Sequence, residues 1–191
     1  MSSITIFGSG NMGTAIAGVL ADGGATVHHI GSGDHGSEIA GDLVILAVPY
    51  PALDDIATRY REQLAGKVVV DITNPLNFET FDSLTVAPDG SAAAELAKAL
   101  PDSRVLKAFN TNFAATLASK KIGEQPPTVL VAGDDADAKQ ALISAVAAGG
   151  VDAVDAGGLS RARELEAAGF LQLTLAVSEK VGWTGGFAVV R

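Results

Sequence analysis

Residues 4–13 read Ile-Thr-Ile-Phe-Gly-Ser-Gly-Asn-Met-Gly, an apolar run that leads directly into the pattern G-x-G-x-x-G. In a strand–turn–helix unit, Gly8 permits the tight turn, Gly10 lets the backbone approach a pyrophosphate, and Gly13 lets the helix pack closely on the strand. The helix N-terminus then offers free N–H groups and a partial positive charge to the anion. These glycines could also form a tight turn without a ligand, but their position favours dinucleotide binding. The predicted pyrophosphate contacts are Gly8, Ser9, Gly10, Asn11 and Met12.

Strand-like and helix-like segments alternate along the rest of the chain. The predicted strands cover residues 4–7, 26–30, 43–48, 68–72, 105–109, 128–132 and 151–154, and the predicted helices cover 11–21, 51–64, 92–100, 136–148 and 159–181. This rhythm predicts an α/β fold with a Rossmann-type, doubly wound parallel sheet. We expect residues 1–191 to form a single domain with a long C-terminal helix and tail from about residue 159. Residues 31–42 are too few and too glycine-rich for a full crossover helix, so a loop or one turn is predicted there.

Composition and charge exclude several classes of function. The chain has 191 residues and is 48% hydrophobic and 18% charged, as expected of a packed globular protein. It contains no cysteine, which excludes disulfides and thiolate catalysis and makes the cytoplasm the expected location; no metal site is predicted. A net charge of -9 argues against binding to nucleic acid or to an anionic membrane. We expect no signal peptide, and the apolar stretch near the C-terminus is too short and too polar to span a bilayer.

The end of the second predicted strand bears on which dinucleotide is bound. NAD sites usually carry Asp or Glu at this position, whereas residues 28–32 read His-His-Ile-Gly-Ser and Asp34 follows only later. The lack of an acid at the strand tip favours NADPH, with the Ser32 hydroxyl on the 2′-phosphate. Because no Arg or Lys lies nearby in the sequence, NAD remains open. His29 is interpreted as a strand residue near the adenosine.

Two further strand ends carry residues suited to the rest of the dinucleotide, since ligands bind outside the carboxyl ends of the strands in such sheets. Val48 and Pro49 are expected beside the nicotinamide ribose. Asn74 and Pro75 are expected to contact a ribose or the carboxamide. Pro-x-Pro and Asn-Pro also start ordinary loops, and the glycine turn is the reason to favour ligand contact.

The strand at residues 105–109 leads to a group of residues that could line the pocket of a second substrate: Lys107, Phe109, Asn110, Thr111, Asn112 and Phe113. Core packing explains the two phenylalanines at least as well. Asn110 is expected to face the nicotinamide. All three histidines (28, 29 and 35) fall near the adenosine end, which leaves Lys107 as the exceptional acid–base candidate, and no catalytic residue is assigned. Hydride exchange between two redox cofactors needs mainly alignment of their rings, so this scarcity favours that chemistry.

The predicted C-terminal helix is apolar on more than one face, which suggests burial against the domain or against a second subunit in a homodimer. At its start, the spacing predicts Arg161–Glu164 and Arg163–Glu166 ion pairs at i,i+3. Trp183 in the tail is interpreted as a core or interface anchor, with a cover over the redox ring as the other reading.

Five motifs in this order resemble the F420-dependent NADP oxidoreductase family, whose fold also appears in the reductase domain of the membrane metalloreductases. They are GSGNMG at 8–13, AVPY at 47–50, DITNP at 71–75, KAFNT at 107–111 and DAGGL at 155–159. The resemblance covers nearly the whole chain. It implies hydride transfer between NADPH and a small-molecule redox partner, a deazaflavin (F420) or a flavin, at the carboxyl edge of the sheet. Family members commonly have Ser-Arg after the second strand, whereas Ser32 is followed here by Gly33 and Asp34.

Two alternatives stay open at this point. A non-catalytic redox sensor that binds NADP(H) fits the scarcity of acid–base groups equally well. Pyrroline-carboxylate-type reductases also open with G-x-G-N-M-G, but they need an additional helical domain that a chain of 191 residues is too short to supply.

Overall fold

The computed structural model describes residues 3–34 and 36–190, so His35 and the prediction that placed it near the adenosine lie outside the described residues. The strands are β1 (Ser3–Phe7), β2 (Thr26–Ile30), β3 (Leu43–Leu46), β4 (Val68–Asp71), β5 (Arg104–Lys107), β6 (Thr128–Gly133) and β7 (Asp152–Gly157). The α-helices are α1 (Asn11–Asp22), α2 (Leu53–Arg59), α3 (Arg61–Leu64), α4 (Ala92–Ala99), α5 (Ala114–Ser119), α6 (Ala136–Ala148) and α7 (Ala162–Val177).

The strands form one sheet in the order β2-β1-β3-β4-β5-β6-β7, in which the four pairs from β2 to β5 are all parallel. The strand order reverses at β1, because β2 lies on one side of it and β3 on the other. The predicted Rossmann-type α/β fold is therefore confirmed. The described residues within 31–42 contain neither helix nor strand, so the prediction of a trimmed crossover is confirmed for them. A cofactor cleft is expected outside the carboxyl ends of β1 and β3, where the order reverses.

The prediction of an all-parallel sheet is wrong at β6, which pairs antiparallel with β5. The helix α5 between these two strands is only six residues long and was not predicted. Strand β6 begins beyond the carboxyl end of β5 and runs back toward it, because Ala132, near the end of β6, pairs with Lys107, the last residue of β5. After α6, β7 returns parallel to β6.

Several predicted helices end or divide at different residues. The helix predicted over residues 51–64 is divided into a 3-10 turn at Tyr50–Ala52 followed by α2 and α3, with non-helical backbone at Tyr60. The long helix predicted over residues 159–181 begins instead with a 3-10 turn at Leu159–Arg161 and ends at Val177. Within the described ranges, no helix is both long enough and apolar enough to cross a membrane.

The core lies on both faces of the sheet, as is typical of parallel strands that are apolar along most of their length. Alternate residues of β3 and β4 point to opposite faces: Ile45 and Val70 join the cluster that includes α1 and α6 residues, and Val44 and Val69 join the one that includes α2 and α4 residues. Both clusters contain β1 residues, Ile6 on one face and Phe7 on the other. The sheet edge that β1, β3, β4 and β5 form at their carboxyl ends is thereby held in place from two sides.

A partly exposed ion pair between Lys139 and Asp155 supports the end of β7. Asp155 Oδ1 accepts hydrogen bonds from Lys139 Nζ and from the Gly157 N–H, both at 2.8 Å. The hydrogen bond from Lys139 lowers the pKa of Asp155, with the Gly157 N–H adding to the effect. A carboxylate with a lowered pKa stabilises the fold above its unfolded-state pKa, and this contribution is lost as the pH falls through the folded-state value.

We therefore expect Asp155→Asn to lower the free energy of unfolding at pH 7 by less than about 1 kcal/mol, since half of the Asp155 side chain is exposed. The difference from the parent chain should shrink as the pH falls below about 4, where the unfolded carboxyl takes up its proton. Urea unfolding from pH 3 to pH 7, with Lys139→Met and the double variant, measures the coupling. A deficit that stays constant with pH would contradict this assignment.

Candidate active site

The glycine turn after β1 has the geometry that its pattern predicts. Gly8 has a φ of +98°, in the region that favours glycine, and its N–H donates to the Ile30 carbonyl oxygen at 2.9 Å. A Cβ at Gly8 would overlap the carbonyl oxygen of Ala47, and one at Gly13 would lie 2.5 Å from the carbonyl oxygen of Gly8. Packing between β1, α1 and β3 therefore requires both glycines.

Gly10 differs, because packing does not require it. It is the N-cap of α1 with ordinary extended backbone (φ -71°, ψ -173°), and a Cβ built on it would meet nothing within 4 Å. The first turn of α1 contains no acidic residue. The open space in front of Gly10 thus faces a helix N-terminus with a partial positive charge, which suits an anion.

Two clefts flank this turn. The first cleft is lined by Gly8, Ser9, Gly10, Ser32, Val48 and Pro49, together with residues of α2. The second cleft is lined by Asn11, Met12, Asn74, Asn110, Asn112, Phe113 and Trp183, among others. The glycine turn thus supplies residues to both, and ten of the eleven predicted contact residues line one cleft or the other.

Three of the predicted strand-end contacts, Val48, Pro49 and Pro75, do not line the second cleft. Val48 and Pro49 border the first cleft, as Ser32 does. Pro75 lies in neither cleft; it is buried, and its carbonyl oxygen accepts hydrogen bonds from the N–H and the hydroxyl of Thr85. The Asn-Pro step therefore serves the turn after β4, which was the alternative interpretation of this motif.

His29 supports the turn from β2. Its Nδ1 lies 2.9 Å from the carbonyl oxygen of Gly8, within hydrogen-bonding distance, and the ring is otherwise exposed. It is a strand residue, as the sequence suggested, its contact is with the backbone of the turn, and its proximity to an adenosine stays a prediction.

Sequence reasoning missed one cation at the first cleft, Arg59 at the end of α2. Its guanidinium donates to Asp55 at 2.8 Å, one helical turn earlier. Asp34 lines the same cleft and accepts a hydrogen bond from the Gly31 N–H at 2.8 Å. Arg59 follows Asp55 and Ile56 at helical spacing, and all three residues line the first cleft. This spacing is the sequence signal that could have revealed Arg59.

In the second cleft, Asn74 and Asn110 are locked together. Asn74 Nδ2 donates to the Asn110 carbonyl at 2.8 Å, and Asn110 Nδ2 donates to Asn74 Oδ1 at 2.9 Å and to the Leu165 carbonyl at 2.8 Å. A Cβ at Gly169 of α7 would overlap Asn74 Oδ1, so only glycine lets α7 lie this close. These contacts fix the orientation of both amides.

Two buried amide oxygens at the second cleft have no hydrogen-bond partner among the described residues. Asn110 Oδ1 and Asn112 Oδ1 have no hydrogen-bond partner among the described residues, although the two residues are only 5% and 6% exposed. A buried acceptor without a partner is unfavourable. Both asparagines line the second cleft, so a ligand with an N–H group would satisfy them there.

Aromatic rings and a strained backbone complete the second cleft. Phe109, fully buried, has a φ of +62°, a conformation that is costly for a residue with a side chain and that starts the turn carrying Asn110 and Asn112. Trp183 packs on Phe113 with ring centroids 5.0 Å apart and is 53% exposed. Trp183 is therefore not a core anchor; it lines the second cleft, and the readings as an interface anchor and as a cover over the redox ring stay predictions.

Lys107 does not line the second cleft, which corrects the prediction that it is available for acid–base work. It is fully buried, and its Nζ lies 2.8 Å from Asp71 Oδ2 and 2.7 Å from Glu166 Oε1 and also donates to the Thr73 carbonyl. Burial raises the pKa of Glu166, while Lys107 acts in the opposite direction. Glu166 also accepts from the Ala92 N–H at the start of α4. Lys107, Asp71 and Glu166, the buried triad, join β4, β5, α4 and α7.

The buried triad also changes the predicted ion pairs of α7. The Arg161–Glu164 pair is present at 3.5 Å. The Arg163–Glu166 prediction is wrong, because Glu166 turns inward to Lys107, and Arg163 pairs with Glu164 at 2.7 Å instead. Helical spacing alone could not show which of the two glutamates faces the core.

Tyr50 follows Pro49 but lies in neither cleft. Its hydroxyl donates to Glu95 Oε2, and burial together with this carboxylate raises the pKa of Tyr50 to about 12. No His, Lys, Arg, Asp, Glu or Tyr is found among the described residues that line the second cleft. No group of three or more His, Asp or Glu suited to a metal ion occurs within residues 3–34 and 36–190.

Comparison with known proteins shows which family the chain belongs to. A family model described as "NADP oxidoreductase coenzyme F420-dependent" matches residues 35–75. The F420-dependent NADP reductase of Methanocaldococcus jannaschii is 33% identical over 173 residues, which cover 87% of this chain and 76% of the relative. The rat metalloreductase STEAP3 is 37% identical over 107 residues, or 56% of this chain and 20% of that protein.

Solved structures agree on the fold. A protein from Arthrobacter sp. FB24 that is described as an F420-dependent NADP reductase matches with a TM-score of 0.84 over 100% of both chains at 24% identity. The pyrroline carboxylate reductase of Plasmodium falciparum matches with a TM-score of 0.60 at 11% identity, and the match covers 93% of this chain and 67% of that one. At these identities the likeness shows the fold alone. From its identity to the M. jannaschii reductase over most of both chains, the protein belongs to the F420-dependent NADP oxidoreductase family.

Proposed function

We propose that the protein is an oxidoreductase that transfers a hydride between NADPH and a deazaflavin of the F420 type. The relatives that establish the family are named as F420-dependent NADP reductases, which does not favour a non-catalytic sensor. NADPH supplies the hydride, the deazaflavin accepts it together with a proton from solvent, and NADP⁺ and the reduced deazaflavin are formed.

The dinucleotide fits the glycine turn. Gly8 to Met12 would hold the pyrophosphate, since the space in front of Gly10 is open and faces the N-terminus of α1. Ser32, Val48 and Pro49 would border the adenosine half in the first cleft. The nicotinamide half would then enter the second cleft, where Asn110 Oδ1 and Asn112 Oδ1 are acceptors for its carboxamide N–H groups.

The observation that carries the proposal is the chemistry of the second cleft. Its described lining consists of amides, aliphatic groups and aromatic rings, without a titratable side chain. Reduction of a carbonyl or an imine usually needs a positioned proton donor beside the hydride. Transfer between two redox rings needs mainly their alignment and the exclusion of water, because the cofactors carry the chemistry. Phe113 and Trp183 provide aromatic surface for the second ring.

An acceptor panel tests this function. NADPH and NADH are each mixed anaerobically with F420, FMN, FAD and a set of carbonyl compounds, and oxidation is followed by absorbance. We expect NADPH oxidation with F420 and none with the carbonyl compounds. Turnover of a carbonyl compound in preference to F420 would contradict the proposal, and so would tight NADPH binding without turnover of any acceptor.

A homodimer is the second part of the proposal. Leu171 and Val177 on α7 and Val190 in the tail are 52%, 46% and 74% exposed, and a second subunit would cover these apolar side chains. We expect a dimer by sedimentation at micromolar concentration and a monomer after Leu171→Glu. A monomeric parent chain at these concentrations would contradict this part. The cytoplasmic location stays a prediction.

A further inference from the structure

The first cleft lacks the usual cation for a 2′-phosphate on the loop after β2, where Ser32 is followed by Gly33 and Asp34. Among the described residues that line this cleft, Arg59 is the one cation, and it comes from α2 rather than from that loop. Ser32 and Arg59 line the same cleft. Arg59 on α2, in the crossover that follows β3, thus brings to this cleft the positive charge that the loop does not supply.

The neighbouring residue fixes the position of Arg59. The Tyr60 hydroxyl donates to the Asp34 carbonyl oxygen at 2.9 Å and accepts from the Gly36 N–H at 3.2 Å. Its ring is buried against Phe7, with centroids 4.9 Å apart in an edge-to-face arrangement. Tyr60 therefore ties the end of α2 to the loop after β2, and so anchors the backbone next to Arg59, which lines the first cleft.

The carboxylates of the cleft leave room for an anion at Arg59. Asp34 Oδ2 already accepts from the Gly31 N–H, and Asp55 pairs with Arg59 through a carboxylate that is 64% exposed. An exposed ion pair of this kind contributes little stability. Arginine binds phosphate through paired charge-assisted hydrogen bonds, and its planar guanidinium has enough donors to contact phosphate and carboxylate together.

We propose that Arg59 is the residue that selects NADPH over NADH, by binding the 2′-phosphate from α2 with Ser32 on the other side. This inference deepens the proposed function and rests on it. Asp55 shares the guanidinium with the phosphate, and its negative charge repels the phosphate and so weakens NADPH binding.

Calorimetric titration of the parent chain and of Arg59→Ala with NADPH and with NADH tests the inference. We expect Arg59→Ala to weaken NADPH binding by about 10- to 100-fold, the loss of hydrogen bonds to a charged group, with no change in NADH binding. Titration with 2′,5′-ADP, which carries the same phosphate without the nicotinamide, should show the same loss. Asp55→Asn should bind NADPH more tightly than the parent chain. Arg61→Ala, on the exposed arginine two residues further on, is the matched control and should change neither affinity.

The outcomes separate the two proposals. Equal losses for NADPH and NADH in Arg59→Ala, or no loss for either, would overturn the role of Arg59 while dinucleotide binding stands. A parent chain that binds neither dinucleotide would overturn the proposed function itself.

Discussion

Replacing Lys107 by methionine is expected to lower the free energy of unfolding by about 3–5 kcal/mol, the effect of removing one partner from a buried ion pair. Methionine nearly matches the volume of the lysine stem, so packing changes little. What remains is a pair of fully buried carboxylates, Asp71 and Glu166, without their shared ammonium group. Urea unfolding followed by circular dichroism gives the measurement.

Two comparison variants make this prediction specific. Glu166→Gln leaves the neutral Lys107–Asp71 pair, and its amide oxygen can still accept from the Ala92 N–H, so it should be much less destabilising. Lys120→Met removes a lysine of similar length from a surface pair with Asp22 and should change the free energy by less than about 1 kcal/mol. If Lys107→Met is no more harmful than Lys120→Met, the buried triad does not hold α7 against the sheet.

Gly10→Ala is expected to weaken NADPH binding by about tenfold or more while the chain keeps its fold. The added methyl group would occupy the open space in front of α1, where the pyrophosphate would approach the backbone, and would displace its charge-assisted hydrogen bonds. The free energy of unfolding should fall by no more than about 1 kcal/mol, the cost of alanine at an N-cap, since the backbone at Gly10 suits alanine and nothing lies within 4 Å of the new atom.

Gly18→Ala is the matched control for Gly10→Ala. Gly18 lies on the same helix, is exposed and also has nothing within 4 Å of a built Cβ, so alanine there should raise helix stability by about 0.5–1 kcal/mol without changing the affinity. Calorimetric titration with NADPH compares both variants with the parent chain. Unchanged affinity in Gly10→Ala would place the pyrophosphate elsewhere.

Local patterns made much of the fold predictable. Strand β2 and helix α6 have the predicted bounds, and α4 begins at the predicted residue 92, directly after its N-cap Ser91, which accepts a hydrogen bond from the Ala94 N–H. The glycine turn was recognisable because each glycine has a local reason, a positive φ at Gly8 or a close approach at Gly13. These features depend on neighbours in the sequence.

The remaining features depend on residues far apart in the chain. Lys107 is the last residue of β5 and was a candidate for acid–base work, but its partner Glu166 comes from a helix 59 residues later. Arg59 is separated from Ser32 by a loop and a strand, so the cation at the first cleft was invisible in the motif itself. The antiparallel direction of β6 follows from how a 20-residue connection packs, which no periodicity reveals.

Direct hydride transfer from NADPH to F420 is tested by following the transferred hydrogen with an isotope. NADPH deuterated at both C4 positions is mixed anaerobically with the protein and F420, and the reduced F420 is analysed by mass spectrometry. We expect reduced F420 to carry deuterium, because the hydride would pass directly from one ring to the other within the second cleft. Reduced F420 without deuterium, or no reduced F420 while NADPH remains bound, would contradict it.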